Sequence, residues 1–138
     1  MVHKKSKMFL TMPSKKRYWF NLNGIKTFFR EIRWAFQRMK YGYSECDVWN
    51  IDSYFLQTIV PMLEDLQRNG ISYPGGITFE GWKDILDDMI YHFLEGNEDT
   101  CSKTIKDFKD WCEYNNYINT HLNKGFELFI KYFRDLWD

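Results

Sequence analysis

Apolar side chains recur at helical spacing through most of this chain, and the strict alternation of a half-buried strand is missing. Ile25, Phe28, Phe29, Ile32, Phe36 and Met39 share one face of a predicted helix over residues 25–40, after the break Asn21-Leu-Asn-Gly24. A second helix opens at the capping-box-like Ser44-Glu-Cys-Asp47 and carries Val48, Ile51, Phe55, Leu56, Ile59, Leu63 and Leu66 to a stop at Asn69-Gly70. Pro61 lies inside it and predicts a kink or short break, because proline removes a backbone donor and crowds the preceding turn. The turn Tyr73-Pro-Gly-Gly76 leads to Thr78, the expected cap of a third helix bearing Trp82, Ile85, Leu86, Met89, Ile90 and Phe93, with Gly96 closing it. Over residues 102–136 the positions Ile105, Phe108, Cys112, Asn116, Asn119, Asn123, Phe126, Ile130 and Phe133 keep one register, extended by Trp137. They predict one helix of about 50 Å, at 1.5 Å per residue, with room for a bend at Gly125 or in the polar run Asn115 to Asn123.

These elements predict an all-α protein: a single domain of four to five helices with a long C-terminal helix. Residues 1–17 hold Lys4, Lys5, Lys7, Lys15, Lys16 and Arg17 with little periodicity, so they read as a mobile basic arm, ordered only when bound. Residues 18–138 form the helical domain. At 138 residues one core suffices, and the 20% aromatic content supports dense packing. No apolar run approaches the ~20 residues of a spanning helix, and the first residues lack a signal-peptide pattern, so a soluble, intracellular protein with no membrane partner is expected.

Charge changes this picture. Residues 1–40 hold 11 of the 19 Lys+Arg but one of the 19 Asp+Glu, Glu31; residues 41–138 hold 8 basic and 18 acidic side chains. A formal net charge of +0 therefore hides a dipolar chain. The basic part suits an anionic partner or the chain's own acidic part, and counting charges does not choose between them.

Little catalytic chemistry is suggested. Cys46, Cys101 and Cys112 form no Cys-x-x-Cys pair and read as reduced thiols, with Cys112 in the core and Cys46 in a helical first turn. Asp84, Asp88 and His92 fall at i, i+4 and i+8, a spacing able to present three metal ligands, but Lys83, Asp87 and Glu95 mark that side as solvated. Neither metal nor cofactor is expected. Gly75-Gly76 is not followed by the lysine of a phosphate loop, and no Gly-x-Ser-x-Gly elbow occurs. No residue is assigned a catalytic role, and the chain is not expected to be an enzyme.

Projection at 100° per residue places Trp34 opposite the apolar stripe of the first helix, with Arg30 and Arg38 one turn to either side and Tyr41 two turns on. Such a face can stack a base while guanidinium groups hold phosphate. Alternatively a later helix or a second subunit covers it. Asp52 projects to the centre of the stripe of Val48, Phe55, Leu56 and Ile59, where a buried carboxylate needs a donor. Either a structural network or a ligand satisfies it, the candidate donors being Trp82, a tyrosine, an arginine of the first helix, Asn116 and Asn119. Asp47 reads as a charge placed favourably at a helix N-terminus. The candidate ligand-binding set is thus Arg30, Trp34, Arg38, Tyr41 and Asp52.

The run Tyr43-Ser44-x-x-Asp47-x-Trp49-x-x-Asp52-x-Tyr54, then Tyr73-Pro74-Gly75, Trp82-x-x-Ile85-Leu86-x-x-Met89-Ile90 and Gly125 to Trp137, resembles a family of small helical proteins of tailed bacteriophages. The resemblance spans roughly residue 25 to the end, leaves the basic arm outside, and brings no catalytic residues. It implies an accessory protein in the cytoplasm of an infected bacterium, with defence evasion as a common task. The function expected on that footing is non-enzymatic sequestration of a nucleotide-like immune signal. A nucleic-acid-binding accessory protein using the arm and first helix, a protein-binding inhibitor of host defence and a virion-associated part are the alternatives. Self-association stays open.

Overall fold

A computed structural model describes residues 22–137, helical apart from turns and connecting segments, with no strand among them. Four helices follow one another: α1 (Leu22–Tyr41), α2 (Ile51–Asn69), α3 (Phe79–Glu95) and α4 (Trp111–Tyr132). The basic arm lies outside the described residues. Short 3-10 turns at Asp47–Asn50, Ile105–Asp107 and Phe133–Asp135 join or extend the helices.

Local chemistry sets most boundaries. Gly42, at φ 82°, takes the left-handed conformation that ends α1, and its N–H donates to the Arg38 carbonyl at 2.9 Å. The Thr78 hydroxyl accepts from the Gly81 N–H at 3.1 Å and starts α3, while Gly96 closes it through the His92 carbonyl at 2.9 Å. Helix α2 runs through Pro61 without the short break that the proline allows.

The C-terminal helix is long, at 22 residues, and unbroken at Gly125, but it begins later than periodicity predicts. Thr104 and Asp107 form a reciprocal capping box around a 3-10 turn, and Asp110 then caps α4 by accepting from the Glu113 N–H at 2.9 Å. Two successive start signals thus override the helical register of Ile105 and Phe108. The buried face is also rotated: Tyr114, Ile118 and Gly125 turn inward, whereas Cys112, Asn116, Asn119 and Asn123 are exposed. The expectation that Cys112 is a core residue is corrected accordingly.

The chain divides into two compact units, one ending at Phe55 and the other beginning at Leu56. The second unit has an ordinary apolar core, built from Leu56, Val60 and Leu63 of α2, Trp82, Leu86, Met89, Ile90 and Phe93 of α3, and Tyr114 and Ile118 of α4. Phe93 is fully covered, with the rings of Phe126 and Phe129 edge-on to it at 5.4 and 6.0 Å. Gly125 exists to admit that ring: a Cβ there would lie 2.7 Å from Phe93 Cδ1. Gly96 likewise lets α3 end against α4, since its Cβ would meet the Leu122 backbone nitrogen at 2.7 Å.

The first unit is built the other way round. Among its described residues only Ser44 and Asp47 are buried, both polar, and no apolar side chain is.

Candidate interaction surface

The polar side of α1 closes on the segment that follows it. Asp47 accepts from Arg38 Nε at 2.9 Å, with a second bond from Arg38 Nη2, and from the Ser44 N–H and hydroxyl at 2.7 and 2.8 Å. The Arg38 guanidinium, more than the Ser44 donors, holds the Asp47 carboxyl below its ordinary range against the opposing effect of burial. The same pair raises Arg38. Asp47 is therefore a buried, bidentate ion-pair partner, which corrects its reading as a simple dipole charge.

Glu45 accepts from the Trp34 indole N–H at 3.1 Å and pairs with Arg33, while its backbone N–H donates to Gln37 at 3.0 Å. The indole bond, ahead of Arg33, keeps this carboxyl below its usual range. The Tyr54 hydroxyl donates to the Gly42 carbonyl and ties the start of α2 to the end of α1. Arg30 lies over the Trp34 ring at 4.8 Å, and Lys40 over the Tyr41 ring at 5.0 Å.

Of the residues singled out by sequence, Arg30 lies over the Trp34 ring, while Arg38 turns to Asp47 and Trp34 bonds to Glu45. Tyr41 stands exposed at the helix end, with Lys40 as its partner. Asp52 is exposed, against the expectation of a buried, hydrogen-bonded carboxylate. Asp52 keeps the face of Phe55 and Leu56 but lies in the first turn of α2, where burial has not yet begun: Val48, Trp49 and Ile51 are exposed too, and the first buried side chain of α2 is Leu56. Sequence reading missed Arg33, Gln37 and Glu45. The acids Glu45 and Asp47, a few residues beyond the end of a helix rich in arginine, were the available signal.

The opposite side of α1 is its apolar stripe, and it is open: Ile25, Phe28, Phe29, Ile32, Phe36 and Met39 range from 42% to 74% exposed. Projection places Lys26, Arg33 and Lys40 along one border of this stripe and Ala35 and Glu31 along the other. The pattern is that of an amphipathic helix packing by its polar face and presenting its apolar one.

A second cluster sits on α3 and α4. His92 Nδ1 and His121 Nδ1 lie 2.9 Å apart, so one imidazole donates and the other accepts. Asp88 approaches His92 Nε2 at 3.6 Å, and the Tyr117 ring packs against His121 at 4.4 Å, tilted by 47°. Burial, followed by the neighbouring His92, lowers the His121 pKa. One turn on, buried Glu95 accepts from the Tyr117 and Ser102 hydroxyls, each at 2.9 Å, and from the Ser102 N–H at 3.2 Å. Burial pushes Glu95 up, yet these donors outweigh it and leave the carboxyl below its usual range. Beside the histidines is an open cleft lined by Asp88, His92, Lys124, Glu127, Leu128 and Lys131, where carboxylates and ammonium groups alternate and give no field of one sign. Among the described residues no group of three His, Cys, Asp or Glu is placed to hold a metal.

No family model, curated protein or solved structure matches this chain. Among the described residues no helix is long and apolar enough to cross a membrane.

Proposed function

We propose that this chain is a non-enzymatic accessory protein of a tailed bacteriophage, acting in the host bacterial cytoplasm by binding a protein of the host's defence. One observation carries the binding mode: the first unit buries no apolar side chain among its described residues while α1 holds an apolar stripe in the open. Helices in proteins draw most of their stability from packing an amphipathic face, and this stripe remains to be packed. The phage context rests on the residues quoted from Tyr43 to Trp137 and is the source of the anti-defence assignment.

Sequestration of a nucleotide-like signal is the second reading, favoured by the Arg30 guanidinium over Trp34, for which no carboxylate partner occurs among the described residues. Against it, Arg38 and Arg33 are already committed to Asp47 and Glu45, and a phosphate would have to displace those carboxylates.

The test is phage plating on bacterial strains carrying single defence systems, with and without this chain expressed. Protein binding predicts protection on at least one strain, lost in the double substitution Phe29→Ser, Phe36→Ser and kept in Arg30→Ala. The reverse pattern, with a small molecule retained in native mass spectrometry, supports the nucleotide reading. Equal plating on every strain would sink the anti-defence assignment.

A further inference from the structure

We propose that the partner meets α1 with an apolar groove whose rim is carboxylate-rich on one side, so that α1 lies in it as a basic amphipathic helix. This rests on the protein-binding reading above and adds the partner's chemistry. The anchors are Ile25, Phe29, Ile32, Phe36 and Met39, spaced i, i+4, i+7, i+11 and i+14, the pattern of a helix seated in a groove. All five are exposed. Nothing among the described residues covers them.

Charge selects the occupant. Helix α1 carries Lys26, Arg30, Arg33, Arg38 and Lys40 against one acid, Glu31. The chain itself shows which charge these cations pair with: the two that form ion pairs among the described residues, Arg33 and Arg38, both take carboxylates, while Arg30 and Lys40 lie over aromatic rings. Lys26 and Lys40 border the stripe on the same side and meet no carboxylate among the described residues. A second copy of α1 packed antiparallel would bring like charge to that border, and packed parallel it would offer only Glu31 to three cations. An anionic bilayer presses phosphates on both borders, and here the other border carries Glu31. A groove with a fixed, one-sided acidic rim matches the asymmetry.

Calcium-loaded calmodulin is a probe with this chemistry, an acidic protein with a methionine-rich groove for basic amphipathic helices. Titrating it into the full-length chain should give a micromolar or tighter complex that chelating calcium abolishes. Phe29→Ser with Phe36→Ser should weaken it at least ~10-fold, and Lys26→Glu with Lys40→Glu should weaken it several-fold at low salt and less at high salt. Circular dichroism and the melting temperature of each variant establish that it is folded, and the lysine variant, which leaves the stripe intact, reads the rim independently of the anchors. Three results overturn the inference: no binding to calmodulin, binding to phosphatidylserine vesicles in its place, or a concentration-dependent dimer that the stripe substitutions dissolve. Plating protection that depends on the stripe while calmodulin fails to bind would remove the acidic rim and leave the protein-binding reading standing.

Discussion

The two units solve the same problem in opposite ways. From Leu56 onward, burial is apolar and polar groups are admitted only when satisfied: Glu95 has three oxygen or nitrogen donors, and the two histidines have each other. Up to Phe55, burial is polar and the apolar face is left outside. The same helical amphipathicity therefore has different consequences. In α3 it builds a core. In α1 it leaves a surface, because the turn after the helix offers Glu45 and Asp47 to its arginines and so draws in the polar side.

The sharpest way to break this contrast is to truncate one aromatic in each unit. Phe93→Ala should destabilise by ~3–5 kcal/mol in urea denaturation, as for any fully buried phenylalanine, whereas Phe36→Ala should change stability by less than ~0.5 kcal/mol. Comparable losses would show that the α1 stripe is packed in the folded chain.

Next in size is Gly125→Ala. Its methyl group meets the Phe93 ring at 2.7 Å, so overpacking should cost ~1–3 kcal/mol despite the gain in helix propensity. Removing the Glu95 carboxylate by Glu95→Ala should cost a similar ~1–3 kcal/mol by stranding the donors of Tyr117 and Ser102. A melt equal to the parent's in either variant would contradict the packing described for α3 and α4.

Acid should separate the units in pH. The His121 pKa is lowered in the folded state, so the unfolded chain protonates first: this contribution is full above about 6.5 and is lost as pH falls from there towards the folded value. The contribution of Glu95 is full above about 4.5 and that of Asp47 above about 3.8, each being lost as pH falls through its lowered folded value. Urea midpoints measured from pH 7.5 to 5 should therefore fall, and His121→Phe should flatten that slope. A slope unchanged by His121→Phe would contradict the assigned role of the imidazole pair.

The smallest expected effect is at Asp52. Because it faces water, Asp52→Leu and Asp52→Lys should each lie within ~0.5 kcal/mol of the parent, read by the same denaturation. A large loss in either would restore the buried carboxylate.

What the chain announced and what it concealed follow physical lines. Caps and breaks were legible because they are local: Thr78, Gly96, Asn69-Gly70 and the Tyr73-Pro-Gly-Gly76 turn lie where the sequence places them. The approach of Arg30 to Trp34 was legible too, since one continuous helix sets residues four apart on one face. Phase failed across the 3-10 turns and said nothing of how much of a face is covered. The turn at Asp47–Asn50 took Val48 out of α2, and the one at Ile105–Asp107 separated Ile105 and Phe108 from α4. Within the helices, phase held but did not say how far burial extends: Asp52 shares the face of Phe55 and Leu56 yet lies in an exposed first turn, and α4 buries the face of Tyr114 and Ile118 instead of that of Cys112 and Asn116. Thr104-x-x-Asp107 and Asp110-x-x-Glu113 were start signals that a sustained stripe outweighed. The inversion of α1 was not legible at all. Periodicity states that a helix has two faces, and only its partner in space decides which one is covered.

Hydrogen exchange on the isolated full-length chain tests that inversion most directly, because amide protection reports the packing around each helix. The account predicts that amides of α1 from Phe28 to Met39 exchange orders of magnitude faster than those of α3 from Trp82 to Phe93. Equal protection of the two helices would contradict it.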